Sequence, residues 1–206
     1  MDLHLKEAMT KMFDRHEDDA PDALTLIHND HVEVSALFET ALGEKTTPAV
    51  RRNTALQICE ALTVHAKMEE AIFYPALRRA GKTEEKDSVL EAAEEHGLVK
   101  DLIAKIKRTE TRDETMKAKL TVLKEIVEHH VREEESTMFG EARRVLGKKL
   151  QALGEEMQAF KNRANKTGKK APAKKSSARG AAVAGRKSSP RKAAARKTAR
   201  KTGTRR

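Results

Sequence analysis

Two stretches of this chain, "VHAKMEEAIFYPAL" from Val64 and "HHVREEESTMFGEA" from His129, each carry His-x-x-x-Glu and then an aromatic residue five positions past the Glu. A shift of 65 residues lays one on the other: His65 on His130, Glu69 on Glu134, Glu70 on Glu135 and Tyr74 on Phe139. The same shift carries Asp30-His31 onto Glu95-His96 without a gap. What survives is a polar set, and it sits inside apolar runs of helical period. A fixed offset of this kind describes a duplicated helical hairpin. It also restricts the fold, because each half must bury histidine and glutamate where a helix bundle ordinarily wants Leu or Val.

The period of the apolar residues gives four long helices. The first is expected from Pro21 to Leu42, with Pro21 in its first turn. Its inner stripe is Leu24, Ile27, His31, Val34, Phe38 and Leu42, and Gly43 stops it. The second starts at Thr47-Pro48, an N-cap followed by a first-turn proline, and runs to about Ala80 before Gly81. Its stripe is Ile58, Leu62, His65, Glu69, then Ile72 or Phe73. The third opens near Thr83, where "TEEKD" places acid at the positive end of the helix dipole. Val89, Ala92, His96, Val99, Ile103 and Ile106 form its stripe. The fourth follows "TRDE" at Thr111, a capping-box spacing with Glu114. Its stripe is Met116, Leu120, Leu123, Val127, His130, Glu134 and Met138. After Gly140, "EARRVLGKKLQALGEEMQAF" reads as a continuation or a further helix. Short connections between long helices imply antiparallel neighbours. The expected fold is therefore all-α, an up-down-up-down four-helix bundle with an additional helical segment.

Composition fits this reading. Aromatic residues are 3% of the 206 and charged residues 36%, which favours helix over an all-β fold. No apolar run reaches the length of a membrane span. "MDLHLKEAMTKMFDRHEDDA" lacks the basic and apolar regions of a secretory signal. Cys59, the single cysteine, fits a reducing compartment and a buried apolar position. The net charge of +10 conceals a division. From Lys161 onward lie 18 of the 42 basic residues and none of the 32 acidic ones, leaving 24 against 32, or −8, before it. An acidic body thus carries a basic segment. The expected organisation is an N-terminal arm over 1–19, the bundle over 20–140, an additional or extended helix over 141–163, and a disordered basic tail over 164–206.

The buried polar set has a chemical reading. His and Glu at i and i+4 lie one turn apart on one face, near enough to share an ion or to bridge two. Four helices bring four imidazoles and two carboxylates to one level of the core. An ionised carboxylate buried without a partner is very costly, and a metal would remove that objection. Mixed histidine and carboxylate ligands suit iron, manganese or zinc better than calcium or magnesium.

In the order His31, His65-x3-Glu69, His96, His130-x3-Glu134, the pattern resembles the hemerythrin-like family with HHE cation-binding domains. "NDHVEVSALF", "HAKMEEAIFYPAL", "EEHGLVKDLI" and "HHVREEESTMF" look like its four signature helices. The resemblance spans about residues 20–140 and implies a non-haem di-iron centre, two iron ions ahead of manganese or zinc. By similarity, His31, His65, His96 and His130 would be terminal ligands, and Glu69 and Glu134 bridging or terminal carboxylates. The oxygen-carrying members have a second histidine one turn before the third-helix histidine, where this chain has Ala92. His28, Glu95, water or a hydroxo bridge could complete that iron. An open position suits sensing of oxygen or nitric oxide, or chemistry with peroxide, better than oxygen transport.

Around these, His28, Glu95 and Tyr74 are candidates for supporting roles, and Tyr74 could donate a hydrogen bond to an oxygen ligand. Tyr74 and Phe139 read most simply as apolar caps over the metal end of the bundle. His129 points about 100° away from His130 and reads as a surface or supporting residue. Glu70 and Glu135 read as solvated or helix-contact residues, and His4 and His16 as solvated.

"ANKTGKKAPAKKSSARGAAVAGRKSSPRKAAARKTARKTGTRR", from Ala164, has no aromatic or acidic residue and almost no bulky aliphatic one. It cannot bury enough apolar surface to fold alone. Its charge suits a polyanion, DNA or RNA, through salt-sensitive phosphate contacts without base readout. The candidate contacts are Lys174, Lys175, Arg186, Lys187, Arg191, Lys192, Arg196, Lys197, Arg200 and Lys201. The composition resembles the tails of linker histones and bacterial histone-like proteins, and Ser189-Pro190-Arg191-Lys192 their Ser-Pro-basic-basic element. The expected protein is therefore a cytoplasmic, nucleoid-associated iron protein that senses or handles oxygen, nitric oxide or peroxide, and a binding module before it is an enzyme. A di-iron oxidoreductase and an architectural DNA-binding protein with a merely structural bundle are the alternatives.

Overall fold

The structure, a computed structural model, describes residues 20–168. The expected N-terminal arm and all ten candidate nucleic-acid contacts lie outside those residues. Helix α1 spans Ala23–Leu42. It starts later than the sequence suggests, because the Asp22 side chain accepts from Thr25 N–H at 2.8 Å and leaves Pro21 outside the helix. Helix α2, Pro48–Met68, has Thr47 as N-cap and Pro48 in its first turn. It continues through a π turn, Glu69–Phe73, into α3, Tyr74–Ala80. Helix α4 spans Thr83–Arg108. Glu85, fully buried, accepts from Lys82 N–H at 2.7 Å at its start.

Helix α5, Thr115–Glu133, begins four residues beyond the expected Thr111 cap. No side chain caps it from Glu114, and Asp113 accepts from Thr115 N–H at 2.8 Å in place of the expected capping box. A second π turn, Glu134–Met138, leads into α6, Phe139–Leu146. Gly147, at φ 49°, reverses the chain where a side chain would be strained. Helix α7, Lys149–Gly168, follows. The segment after Gly140 is thus both things: it finishes the fourth rod and then forms a separate helix. That helix runs past residue 163, so 164–168 are helical where the sequence suggests tail.

The four rods close a ring, α1 against α2 and α5, and α4 against α2 and α5, while α7 lies against α1 and α2. Two apolar clusters fill it. Leu24, Ile27, Met68, Phe73, Leu77 and Met157 belong to one, and Val34, Phe38, Ile58, Leu62, Ile103, Leu120 and Leu123 to the other. Along α1 the change from one cluster to the other falls at His31. Among the described residues, no helix is long and apolar enough to cross a membrane.

Candidate metal centre

The two π turns begin at Glu69 and Glu134, the two repeated glutamates. Tyr74 N–H donates to Glu69 O and Phe139 N–H to Glu134 O, each across five residues. The repeat of the sequence is therefore a repeat of the backbone. A π turn holds an extra residue, and such turns gather at functional sites. Its sequence signal is the next position, Pro75 in one half and Gly140 in the other. Pro75 lacks the N–H an α-helix needs and clashes with the carbonyl four residues back, and the π turn relieves both.

At this level four imidazoles point Nε2 inward. Glu69 Oε2 lies 3.3 Å from His65 Nε2 and 3.3 Å from His96 Nε2. Glu134 Oε2 lies 3.4 Å from His31 Nε2 and 3.5 Å from His130 Nε2. Each carboxylate thus stands between imidazoles of two helices. All six side chains are buried. His31, His96 and His130 Nε2, both Glu69 oxygens and Glu134 Oε2 are buried without a hydrogen-bond partner. Six polar atoms left this way in one small volume are very costly unless a cation joins them. Donor atoms of His31, His65, Glu69 and Glu134 converge within 4.8 Å, as do those of Glu69, His96 and His130. The two groups share Glu69 and so adjoin.

The outward nitrogens carry a second repeat. His31 Nδ1 is 2.8 Å from Glu135 and His96 Nδ1 3.0 Å from Glu70. His130 Nδ1 is 2.7 Å from Glu95 and His65 Nδ1 3.4 Å from Asp30. Both sets of partners are related by the 65-residue shift. A carboxylate at Nδ1 places the proton there, presents Nε2 to a metal and makes the imidazole more basic. Glu70 and Glu135, which read from sequence as solvated or helix-contact residues, make contacts to other helices, and the imidazoles they serve were not foreseen. The π turn lets two successive glutamates serve one centre, the first inward and the second behind a neighbouring imidazole. His28 lies 2.9 Å from Glu135, so it and Glu95 both meet the outer side of the ligand set. Half-exposed His129 lies 3.2 Å from Glu95.

Electrostatics agree with this arrangement. Burial pushes the Glu134 carboxyl up, but the imidazoles of His130 and His31 outweigh it and hold it well below its usual range. Burial likewise opposes charge on His31, yet the nearby Glu134 carboxylate and the bond to Glu135 push the imidazole well up. Tyr74, raised by burial and by Glu134, keeps its proton and donates it to Glu134 Oε1 at 3.0 Å.

A helix bundle whose paired His-x-x-x-Glu helices converge on two adjoining groups of histidine and carboxylate donors is built as carboxylate- and histidine-based metal proteins are. Residues 22–142 match the family model described as Hemerythrin HHE cation binding domain, and the chain belongs to that family of cation-binding proteins. A curated relative from Nostoc sp., named DNA nickase, is 30% identical over 160 residues, covering 76% of this chain and 43% of that protein. The chain therefore spans less than half the length of that relative. A solved structure of a hemerythrin HHE cation binding domain-containing protein from Mycobacterium kansasii shares the fold. Its TM-score is 0.61 at 23% identity, over 71% of this chain and 89% of that one.

Proposed function

We propose that this chain is a di-iron protein whose two ions are held by His31, His65, His96, His130, Glu69 and Glu134. It handles oxygen, nitric oxide or peroxide, and its basic segment keeps it beside nucleic acid. The observation that carries the metal reading is the buried Glu69 carboxylate, with neither oxygen hydrogen-bonded and two imidazole nitrogens at 3.3 Å. Histidine and carboxylate donors together favour iron over calcium or magnesium. A bound iron pair would supply electrons to, or take them from, a small oxidant. The protein's own residues do the rest. Asp30, Glu70, Glu95 and Glu135 orient the imidazoles, the apolar clusters exclude water, and Tyr74 holds a proton at its hydroxyl beside Glu134. Ala92, buried in the apolar cluster on the inner face of α4, offers no donor atom where a further ligand would stand.

The nucleic-acid half of the reading is supported by the 18 basic residues from Lys161 onward and by the DNA-directed name of the Nostoc relative. That name favours a second reading, in which iron beside DNA cuts one strand. One set of experiments addresses both. Iron per chain is measured after anaerobic loading with ferrous iron, and loaded and metal-free chains are then offered supercoiled plasmid, with and without peroxide. About two irons per chain support the di-iron site. Salt-sensitive retention of intact plasmid supports the tether, and iron-dependent relaxation supports nicking. A chain that takes up no iron ends the metal reading, and the architectural alternative then gains.

A further inference from the structure

Helix α7 is attached to the candidate centre by an ion pair. Lys161 Nζ contacts Asp30 Oδ1, and Asp30 Oδ2 faces His65 Nδ1 at 3.4 Å. Both side chains are largely buried, Lys161 at 20% exposure and Asp30 at 9%. The other outer carboxylates meet basic side chains from within the ring: Glu70 meets Lys100, Glu135 meets His28, and Glu95 meets His129. Asp30 meets one from a helix 131 residues away, beyond the stretch that matches the family.

The seat of α7 is closely made. A Cβ on Gly154 would stand 2.3 Å from Pro21 O, so the helix backbone lies against the start of α1. Met157 is fully buried in the cluster with Leu24 and Ile27. Gln151 Nε2 donates to Ala20 O at 2.7 Å. Gly154, Met157 and Lys161 follow helical spacing along one face. Lys161 therefore reaches Asp30 only while this face is seated.

We infer that Lys161 is a positioning residue for the metal centre, and that its ion pair with Asp30 couples metal occupancy to the seating of α7. The inference rests on the metal reading above. A metal held at His65 Nε2 would fix the orientation of that ring, whose Nδ1 faces Asp30 at 3.4 Å. The Asp30 carboxylate is then held in the orientation that Lys161 meets. By linkage, whatever metal contributes to seating α7, a seated α7 contributes equally to holding metal. In sequence, α7 runs directly into the basic segment, so the state of the centre reaches the helix that bears it.

The test is hydrogen exchange on the full chain, read by peptide mass spectrometry with and without ferrous iron, beside iron content. Peptides within 149–168 should exchange several-fold more slowly in the loaded chain. Lys161→Met keeps the apolar stem and removes the charge. It should lose that difference and release iron to a chelator about tenfold faster, the low end of what loss of an outer partner costs. Lys161→Arg should recover both. Equal exchange of α7 with and without iron, in a chain that binds iron, overturns the coupling and leaves the metal reading intact. Unchanged iron release in Lys161→Met overturns the positioning role. A chain that binds no iron overturns the metal reading and this inference together.

Discussion

Tyr74 donates its hydroxyl to Glu134 at 3.0 Å, while Phe139, its counterpart in the second half, has no hydroxyl to offer Glu69. The duplicated halves are thus unequal at the carboxylates. One glutamate has an oxygen committed to a phenol, and the other keeps both oxygens for whatever lies between the imidazoles.

Replacing that phenol isolates its contribution. Tyr74→Phe leaves Glu134 Oε1 buried without its donor, which costs about 1–3 kcal/mol. Urea unfolding of the metal-free variant should show a loss of that size. An unchanged midpoint would mean that water reaches the carboxylate.

Sharing of Glu69 predicts an asymmetry among ligand variants. His130 contributes to one of the two donor groups, whereas Glu69 contributes to both. Glu69→Gln should therefore lose most metal from both positions. His130→Ala should keep about one ion per chain, since four donors remain around the other. Elemental analysis after loading distinguishes them, and equal losses would contradict the two-position geometry.

The ionisable network predicts opposite losses of stability on the two sides of neutrality. Burial pushes Glu135 up, but hydrogen bonds from His28 and His31 hold it down, to about 2. A lowered carboxyl stabilises the fold above its ordinary 4.5, and that stabilisation disappears as pH falls from there towards 2. Burial opposes charge on His31 and His130, yet their glutamate neighbours raise both. Their contribution is complete below 6.5 and is lost as pH rises through the raised values. Melting temperatures of the metal-free chain should fall in acid and again in alkali. Because metal needs neutral imidazole, loading near neutral pH should release protons, seen as a binding enthalpy that changes with the buffer.

Two glycines predict opposite outcomes for one substitution. Gly154→Ala puts a Cβ into the Pro21–Ala23 backbone and should destabilise by about 1–3 kcal/mol. Gly97, inside α4, has nothing within 4 Å of a built Cβ. Gly97→Ala should stabilise by about 0.5–1 kcal/mol. Denaturant midpoints of the pair check the seating of α7.

Much of this protein was legible without coordinates. Helical period placed four rods, and Gly43, Thr47-Pro48 and Gly81 marked their ends within a residue or two, because caps and breakers act locally. The 65-residue repeat selected His31, His65, Glu69, His96, His130 and Glu134 as the buried polar set. The start of α5 was misplaced, because the Thr111 signal competes with Asp113, whose carboxylate takes the Thr115 N–H instead.

What the sequence determined by itself was periodic or local: the helices, the duplicated hairpin, and which polar residues must share a core. The tertiary structure decided how those residues are served. It opened a π turn at each repeated glutamate, stood Glu70 and Glu135 behind imidazoles of other helices, gave Tyr74 to Glu134, and brought Lys161 to Asp30. The π turns have a local mark in Pro75 and Gly140, but the other three do not follow from helical spacing, because each depends on where a second helix lies across the bundle. A buried carboxylate or imidazole must find its partner wherever packing delivers one, and packing is a property of the whole fold.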